Sequence, residues 1–204
     1  AAMAAIAAAG HCDLCLGQGK ELLWIRNPDL LSVAETLEIF RLKTAPAFLV
    51  ALRLGALLAA QDDRYGEILR RYSAAIGIAY QIQDDLADFS ANGHRGDFHA
   101  MRPSILLAIA CESADTAGRA QIATYLRRPD LRSAHSAALM QQMEQLRVRE
   151  EGSRLLADNL RTAVDSLKPL DNSRLKCQLR RMISRMFTVY PWMNTPTAVE
   201  QKAF

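Results

Sequence analysis

The segment Tyr80-Gln81-Ile82-Gln83-Asp84-Asp85-Leu86-Ala87-Asp88-Phe89 places three carboxylates in an otherwise apolar stretch. Its apolar residues recur at helical spacing, so we expect a deeply packed helix. On a helix, Asp84 and Asp88 share one face, with side chains about 5–6 Å apart. Gln81 lies one turn earlier on that face, whereas Asp85 is rotated away from it by about 100°.

These three carboxylates repel one another if they stay ionised without a counterion. Acidic side chains in a packed helix need a partner. A hard divalent cation suits them, since Mg²⁺ commonly takes one or two carboxylates plus substrate phosphates. Asp84, Asp85 and Asp88 are therefore candidate Mg²⁺ ligands. The alternative interpretation is a solvated acidic patch, or pairing with local arginines.

The composition of the chain predicts an all-α protein. Of its 204 residues, 50% are hydrophobic and 23% charged, as in soluble globular proteins, and the abundant alanine and leucine favour helix. No segment shows the alternation that is typical of strands. The net charge of +3 argues against a nucleic-acid partner. Arg53 interrupts the longest apolar stretch, residues 45–60, so we predict no transmembrane segment.

Turn and capping signals divide the chain into seven expected helices. Ser32 with Glu35 forms a capping-box pattern, Ser104 can cap a later helix, and Pro46 is expected to kink the second helix. The expected helices cover residues 1–25, 32–61, 62–89, 104–111, 115–126, 132–167 and 173–187. We assign residues 1–189 to one helical domain and residues 190–204 to a flexible tail.

Three further motifs are weak when each is taken alone. Lys43-Thr44 could hold a phosphate, although a lysine on a helix is usually solvated. The glycines of Gly17-Gln18-Gly19-Lys20-Glu21-Leu22 would permit close helix approach, and local packing explains them equally well. Cys12-x-x-Cys15 could bind zinc or do redox chemistry, but no second ligand pair follows. We interpret this cysteine pair as small residues on a packed helix.

Four motifs, taken together in their order and spacing, are more informative than any one of them alone. The sequence resembles the C-terminal portion of the all-trans isoprenyl diphosphate synthases, the polyprenyl synthetase family, from about residue 10 to about residue 187. The motifs that carry this resemblance are Gly17-Gln18-x-x-Glu21-Leu22, Lys43-Thr44-Ala45, Gly55-Ala56 and Gln81-x-x-Asp84-Asp85-x-x-Asp88.

The resemblance implies an isoprenoid synthase-type all-α bundle around a central cavity, usually a homodimer in the cytoplasm. It implies a Mg²⁺-dependent prenyltransferase that ionises an allylic diphosphate, adds isopentenyl diphosphate to the resulting cation and gives a longer all-trans polyprenyl diphosphate. Carried over to this chain, Asp84 would ligate Mg²⁺, supported by Asp88 and Asp85 directly or through water. Lys43 would contact the allylic diphosphate, with Thr44 and Gln81 as polar neighbours.

Several positions depart from the family pattern. Tyr80 replaces a common phenylalanine, and Glu21 replaces an aspartate. The loop Gly93-His94-Arg95-Gly96-Asp97 lacks the usual lysine, for which His94 and Arg95 are the candidate substitutes. Arg102, followed by Pro103-Ser104, stands where the family has a later phosphate-binding lysine.

The family's first aspartate-rich motif is absent from the given sequence. We therefore expect the sequence to begin inside a helix of something longer, with the N-terminal helices of the bundle missing. We also expect the 204-residue chain to be inactive by itself. Two alternatives stay open: a non-catalytic subunit of a heteromeric prenyl synthase, and a class I terpene synthase on the same fold.

Overall fold

The computed structural model describes residues 1–91 and 102–187 of the chain. These residues form α-helices and one short 3-10 helix, with no strand among them, which confirms the predicted all-α class. The tail expected at residues 190–204 and the loop candidates His94 and Arg95 lie outside the described residues. The helices are α1 (Ala2–Arg26), α2 (Val33–Leu58), α3 (Asp62–Ala91), α4 (Ile105–Ser113), α5 (Thr116–Arg127), α6 (Arg132–Gln145), α7 (Val148–Ser166) and α8 (Ser173–Met186), with the 3-10 turn Pro129–Leu131 between α5 and α6.

Local side-chain chemistry starts the helices where the sequence predicts. The Ser32 hydroxyl accepts a hydrogen bond from the Glu35 N–H at 3.2 Å, and the Glu35 carboxylate accepts one from the Ser32 N–H at 2.8 Å. This reciprocal capping box satisfies two donors that a helix start leaves unpaired. Ser104 caps α4 with a single bond, in which its hydroxyl accepts from the Leu106 N–H at 3.2 Å. α2 runs through Pro46 as one continuous helix.

The single long helix expected over residues 132–167 is wrong. The chain breaks between α6 and α7 at Arg147, whose backbone is left-handed with φ 53° and ψ 39°. Neither glycine nor proline occurs at this position, so the break has no local sequence signal. Packing of the following helix selects it. The break lets Val148, Leu156 and Leu160 all face the core at 5% exposure or less. Tertiary burial here overrides a weak local helix preference.

The core lies around α3 and α4. α2 packs between α1 and α3, and the opposite side of α3 packs against α7. All seven residues from Ile105 to Cys111 on α4 are buried, so this helix is apolar on every side. α8 joins the core through Leu179 and Ile183, and the fully buried Tyr72 of α3 donates its hydroxyl proton to the Leu179 carbonyl at 2.7 Å.

The cysteine pair lies on α1, which packs against α2, but on the exposed side of that helix. Cys12 and Cys15 are both exposed and unbridged, and the Cys15 Sγ lies 3.6 Å from the His11 Nε2. No described helix is long and apolar enough to cross a membrane.

Candidate functional site

Two glycines from neighbouring helices fix the middle of α2. A Cβ added to Gly17 of α1 would lie 2.7 Å from the backbone nitrogen of Lys43. A Cβ added to Gly77 of α3 would lie 2.6 Å from the backbone nitrogen of Ala45. Real Cβ atoms do not approach backbone atoms this closely, so only glycine fits at either contact. The backbone that carries Lys43 is therefore held between α1 and α3.

An ion pair fixes the side chain of Lys43. Its Nζ donates to the Glu21 Oε1 at 2.6 Å, and the other carboxylate oxygen of Glu21 accepts from the Gln18 Nε2 at 3.0 Å. The Glu21 residue is only 4% exposed. A buried carboxylate is stable only when it is paired and hydrogen-bonded. The Gly-Gln-x-x-Glu motif thus fixes the position of the Lys43 side chain.

Sequence reasoning missed this role of Glu21 and noted the residue only as a replacement for an aspartate of the family pattern. Gly17 and Glu21 are four residues apart, so both face α2, and Gln18 is one turn before Glu21. This spacing was the available signal. The partner of Glu21 lies 22 positions further on, which periodicity within one helix does not reveal.

Asp84 and Asp88 lie together at the end of α3, and both are exposed. Partial burial raises the pKa of Asp84, and the charge of Asp88 raises it further. The positive charge of Lys43 lowers the same pKa. Lys43 on α2 and Asp84 on α3 therefore act on each other, although 41 positions separate them in the sequence. A ligand that carries both phosphate oxygens and a bound cation has charges complementary to both side chains.

Two polar side chains flank this pair. Gln81 lies one turn before Asp84 and is half-buried, as is Thr44 beside Lys43. Neither side chain hydrogen-bonds to another group in the part of the chain that the structure describes. Arg102 is exposed and precedes α4 by three residues. The structure places its backbone just before the helix start that Asp85 contacts.

Asp85 points to a different partner from its two neighbours. Its Oδ2 accepts a hydrogen bond from the Ile105 N–H at 2.6 Å, at the start of α4. Burial raises the pKa of Asp85 to about 7, against the lowering effect of this bond and of Ser104. The N-terminus of a buried helix presents unpaired N–H groups that favour a carboxylate. Asp85 thus acts as a link between α3 and α4.

The aspartate-bearing end of α3 is also supported from behind by α7. The Arg149 guanidinium lies over the Phe89 ring, 5.8 Å from its centre. A Cβ added to Gly152 of α7 would lie 2.8 Å from the Leu106 Cδ2 and 3.3 Å from the Leu86 Cδ2. Close packing on this side leaves Asp84 and Asp88 on the opposite, accessible side.

The described residues contain no cluster of three or more His, Cys, Asp or Glu side chains that could hold a metal ion. The donors present are two accessible carboxylates that repel each other. Such a pair suits a hard divalent cation that keeps several ligands from water or phosphate, as Mg²⁺ does. It does not suit a structural zinc site, which is typically closed by four cysteine or histidine ligands.

The all-helical fold, with Lys43 held on α2 and the aspartate pair at the end of α3, defines the class of the protein as an all-α helical bundle. The comparison with known families agrees with this class. The polyprenyl synthetase family model matches residues 1–143. The chain belongs to the polyprenyl synthetase family.

Two curated relatives illustrate this similarity. A farnesyl diphosphate synthase from Haemophilus influenzae is 36% identical over 86 residues, which is 41% of this chain and 28% of the relative. A geranylfarnesyl diphosphate synthase from Natronomonas pharaonis is 37% identical over 79 residues, or 39% of this chain and 23% of the relative. These alignments span only about a quarter of each relative's length.

Solved structures share the fold over most of the chain. A decaprenyl diphosphate synthase from Rhodobacter capsulatus matches with a TM-score of 0.79 and 23% identity, covering 90% of this chain and 58% of that one. A geranylgeranyl pyrophosphate synthetase from Pyrococcus horikoshii gives 0.76 and 18% identity, covering 92% and 58%. The helical bundle is therefore that of the isoprenyl diphosphate synthases.

Proposed function

We propose that this protein is a prenyltransferase, which condenses an allylic diphosphate with isopentenyl diphosphate to give a longer all-trans polyprenyl diphosphate. The observation that carries this proposal is that Lys43 on α2 lies near enough to Asp84 on α3 for its positive charge to lower the pKa of that carboxyl. Family membership and the shared fold support it. We also propose, from the family resemblance, a cytoplasmic location.

In this proposal Lys43 binds a diphosphate oxygen of the allylic substrate. Glu21 and Gln18 hold the ammonium group in position, so little side-chain entropy is lost when substrate binds. Thr44 and Gln81 have free polar groups beside Lys43 and Asp84, and they would donate to further phosphate oxygens.

Asp84 and Asp88 would hold Mg²⁺ on the other side of the diphosphate, and Asp85 would support them by fixing the end of α3 against α4. Bound there, Mg²⁺ would neutralise the charge that develops on the departing diphosphate. Lys43 supplies a second, fixed positive charge for the same oxygens. Arg102, just before α4, is the proposed replacement for a phosphate-binding lysine, because a guanidinium binds phosphate through a fork of donors.

Titration calorimetry with geranyl diphosphate tests this assignment, with and without Mg²⁺. We expect binding that requires Mg²⁺, and its loss in Asp84→Asn and Lys43→Gln. Asp130→Asn, which removes a carboxylate paired with Arg128, is the control and should bind as the unchanged protein does. Binding that is equal in Asp84→Asn and in the unchanged protein would remove Asp84 from the proposed metal site.

Turnover separates the proposed activity from its alternatives. Incorporation of labelled isopentenyl diphosphate should be measured with the protein in its natural full-length form. Because the 204 residues carry a single aspartate-rich motif, we expect the chain by itself to bind substrate without turnover. Binding without turnover in the full-length protein would favour a non-catalytic subunit. Release of diphosphate without isopentenyl incorporation would favour a terpene synthase.

A homodimer is the proposed assembly. Four large apolar side chains of α1 are 45–66% exposed: Met3, Leu16, Leu22 and Leu23. Leu16 and Leu23 are seven residues apart and lie on one face of α1, and an exposed apolar face commonly marks a protein contact. Light scattering after size-exclusion chromatography should give twice the mass of one chain, and a single-chain mass would contradict the dimer.

A further inference from the structure

The last described helix, α8, has an unusual balance of charge. Between Ser173 and Met186 it has five basic residues and no acidic one: Arg174, Lys176, Arg180, Arg181 and Arg185. Leu179 and Ile183 of the same helix are buried in the core at 3% and 1% exposure. The helix therefore has one face in the protein interior and a basic face outside.

Three of these arginines lie on one line. At about 100° per residue, Arg174, Gln178, Arg181 and Arg185 fall within a sector of about 60° that is opposite Ile183. All four residues are exposed, and the line is about 16 Å long at 1.5 Å per residue. We call these four residues the arginine stripe.

The three arginines of the arginine stripe have no paired carboxylate among the described residues, unlike several exposed arginines elsewhere in the chain. Arg70, Arg128 and Arg154 pair with Glu67, Asp130 and Glu151 at 2.7, 2.8 and 2.5 Å. In the described part of the chain, no carboxylate pairs with Arg174, Arg181 or Arg185. The neighbouring Lys176 donates to the Lys168 carbonyl at 3.2 Å rather than to an acid. No described carboxylate therefore neutralises the charge of the arginine stripe through an ion pair.

We propose that the arginine stripe docks the protein on an anionic phospholipid surface. The stripe is linear, and its one uncharged member, Gln178, is polar. It thus lacks the buried aromatic or aliphatic anchors on which protein–protein contacts depend. The small overall net charge of +3 is unlike that of a nucleic-acid-binding domain. A plane of lipid phosphates requires only aligned cations, which the arginine stripe supplies.

Docking would hold the protein at the surface without insertion, because the apolar face of α8 is already buried in the core. The prenyl chain of the proposed product favours a bilayer over water, so release at the membrane surface would be assisted. That consequence rests on the proposed function. The docking itself does not, so the two can fail separately.

Vesicle co-sedimentation tests the proposal with the full 204-residue chain. The probes are vesicles of equimolar phosphatidylcholine and phosphatidylserine, and vesicles of phosphatidylcholine alone. We expect binding only to the anionic vesicles, with a steep loss as salt rises and the Debye length falls to about 8 Å at 0.15 M. Equal binding to both kinds of vesicle would overturn the proposal.

Matched variants separate the arginine stripe from net charge. Arg174→Gln/Arg181→Gln/Arg185→Gln should weaken binding about 100-fold, and Arg181→Gln alone about fivefold. The control Arg70→Gln/Arg128→Gln/Arg154→Gln removes the same three charges from paired sites and should keep most of the binding. Circular dichroism of each variant checks that the helices remain.

Two outcomes would refute the docking surface. One is an equal loss in the stripe variant and the paired-site control, which would make net charge the cause. The other is tighter binding to duplex DNA than to anionic vesicles at equal phosphate concentration, which would identify a nucleic acid as the partner.

Discussion

Two regions of the molecule arrange their charges differently. One is the contact between α1 and α2, and the other is the end of α3. At the first, Lys43 and Glu21 have opposite signs, are mostly buried and lie 2.6 Å apart. At the second, Asp84 and Asp88 have the same sign and are exposed, and partial burial together with their repulsion raises the pKa of Asp84. The first region is complete before any ligand binds, whereas the second would be stabilised by the cation that we propose for it. Substitutions in the two regions should therefore change stability in opposite directions.

The largest effect is expected at the contact between α1 and α2, which we call the paired region, when its ion pair loses one charge. Glu21→Ala leaves Lys43 largely buried without a partner, so the free energy of unfolding should fall by about 3–5 kcal/mol. Urea unfolding measures it. Glu38→Ala is the control, because Glu38 pairs with Arg41 at a site where both side chains are about 40% exposed, and it should change stability by less than about 1 kcal/mol. Similar losses in the two variants would show that burial of the Lys43 pair does not matter.

The glycine contact that supports the paired region gives the next effect. Gly17→Ala forces a Cβ to within 2.7 Å of the α2 backbone, so stability should fall by about 2–3 kcal/mol. Gly19, two residues later in the same helix, has no atom within 4 Å of such a Cβ. Gly19→Ala should therefore raise stability by about 0.5–1 kcal/mol. Thermal melts of both variants provide the comparison, and a stabilising Gly17→Ala would contradict the close approach of α1 and α2.

Asp85 is intermediate between the two regions, since its partner is a neutral N–H group. Burial raises its pKa to about 7, so the folded protein binds a proton that the unfolded chain releases near pH 4. Stability should then fall as pH rises towards 7, by at most about 1.4 kcal/mol per pH unit. Asp85→Asn keeps an acceptor for the Ile105 N–H and should lose this pH dependence. Urea unfolding between pH 5 and pH 8, without divalent cations, measures the difference. Parallel curves for both proteins would contradict the raised pKa.

The smallest effect is expected at the end of α3, where Asp84 and Asp88 carry like charges. Asp88→Asn removes a like charge four residues from Asp84, so the metal-free protein should gain about 0.2–0.5 kcal/mol. The same substitution should weaken the stabilisation that Mg²⁺ with a diphosphate gives to the unchanged protein. Melting temperatures with and without these ligands show both changes. A loss of stability in the metal-free Asp88→Asn protein would mean that the two carboxylates do not repel each other.

The sequence predicts features whose causes are local. The capping box of Ser32 and Glu35 forms within four residues, and the rotation of Asp85 away from Asp84 follows from helix geometry. The target of Asp85 is Ile105, 20 positions later, and no local pattern points to it. The left-handed Arg147 is also missed, because packing of α7 on α3 selects it. Periodicity shows which face a residue occupies, but not which helix comes to lie against that face.

The hydrogen bond between Tyr72 and the Leu179 carbonyl also limits when the protein can finish folding. The two residues are 107 positions apart. At synthesis rates of about 5–20 residues per second, the Tyr72 hydroxyl waits for roughly 5–20 s before its acceptor exists. Until then the surface of α3 that α8 covers stays open to water or to a chaperone. Exposed apolar surface makes an incompletely folded chain prone to aggregation, so the emerging chain is vulnerable during this interval.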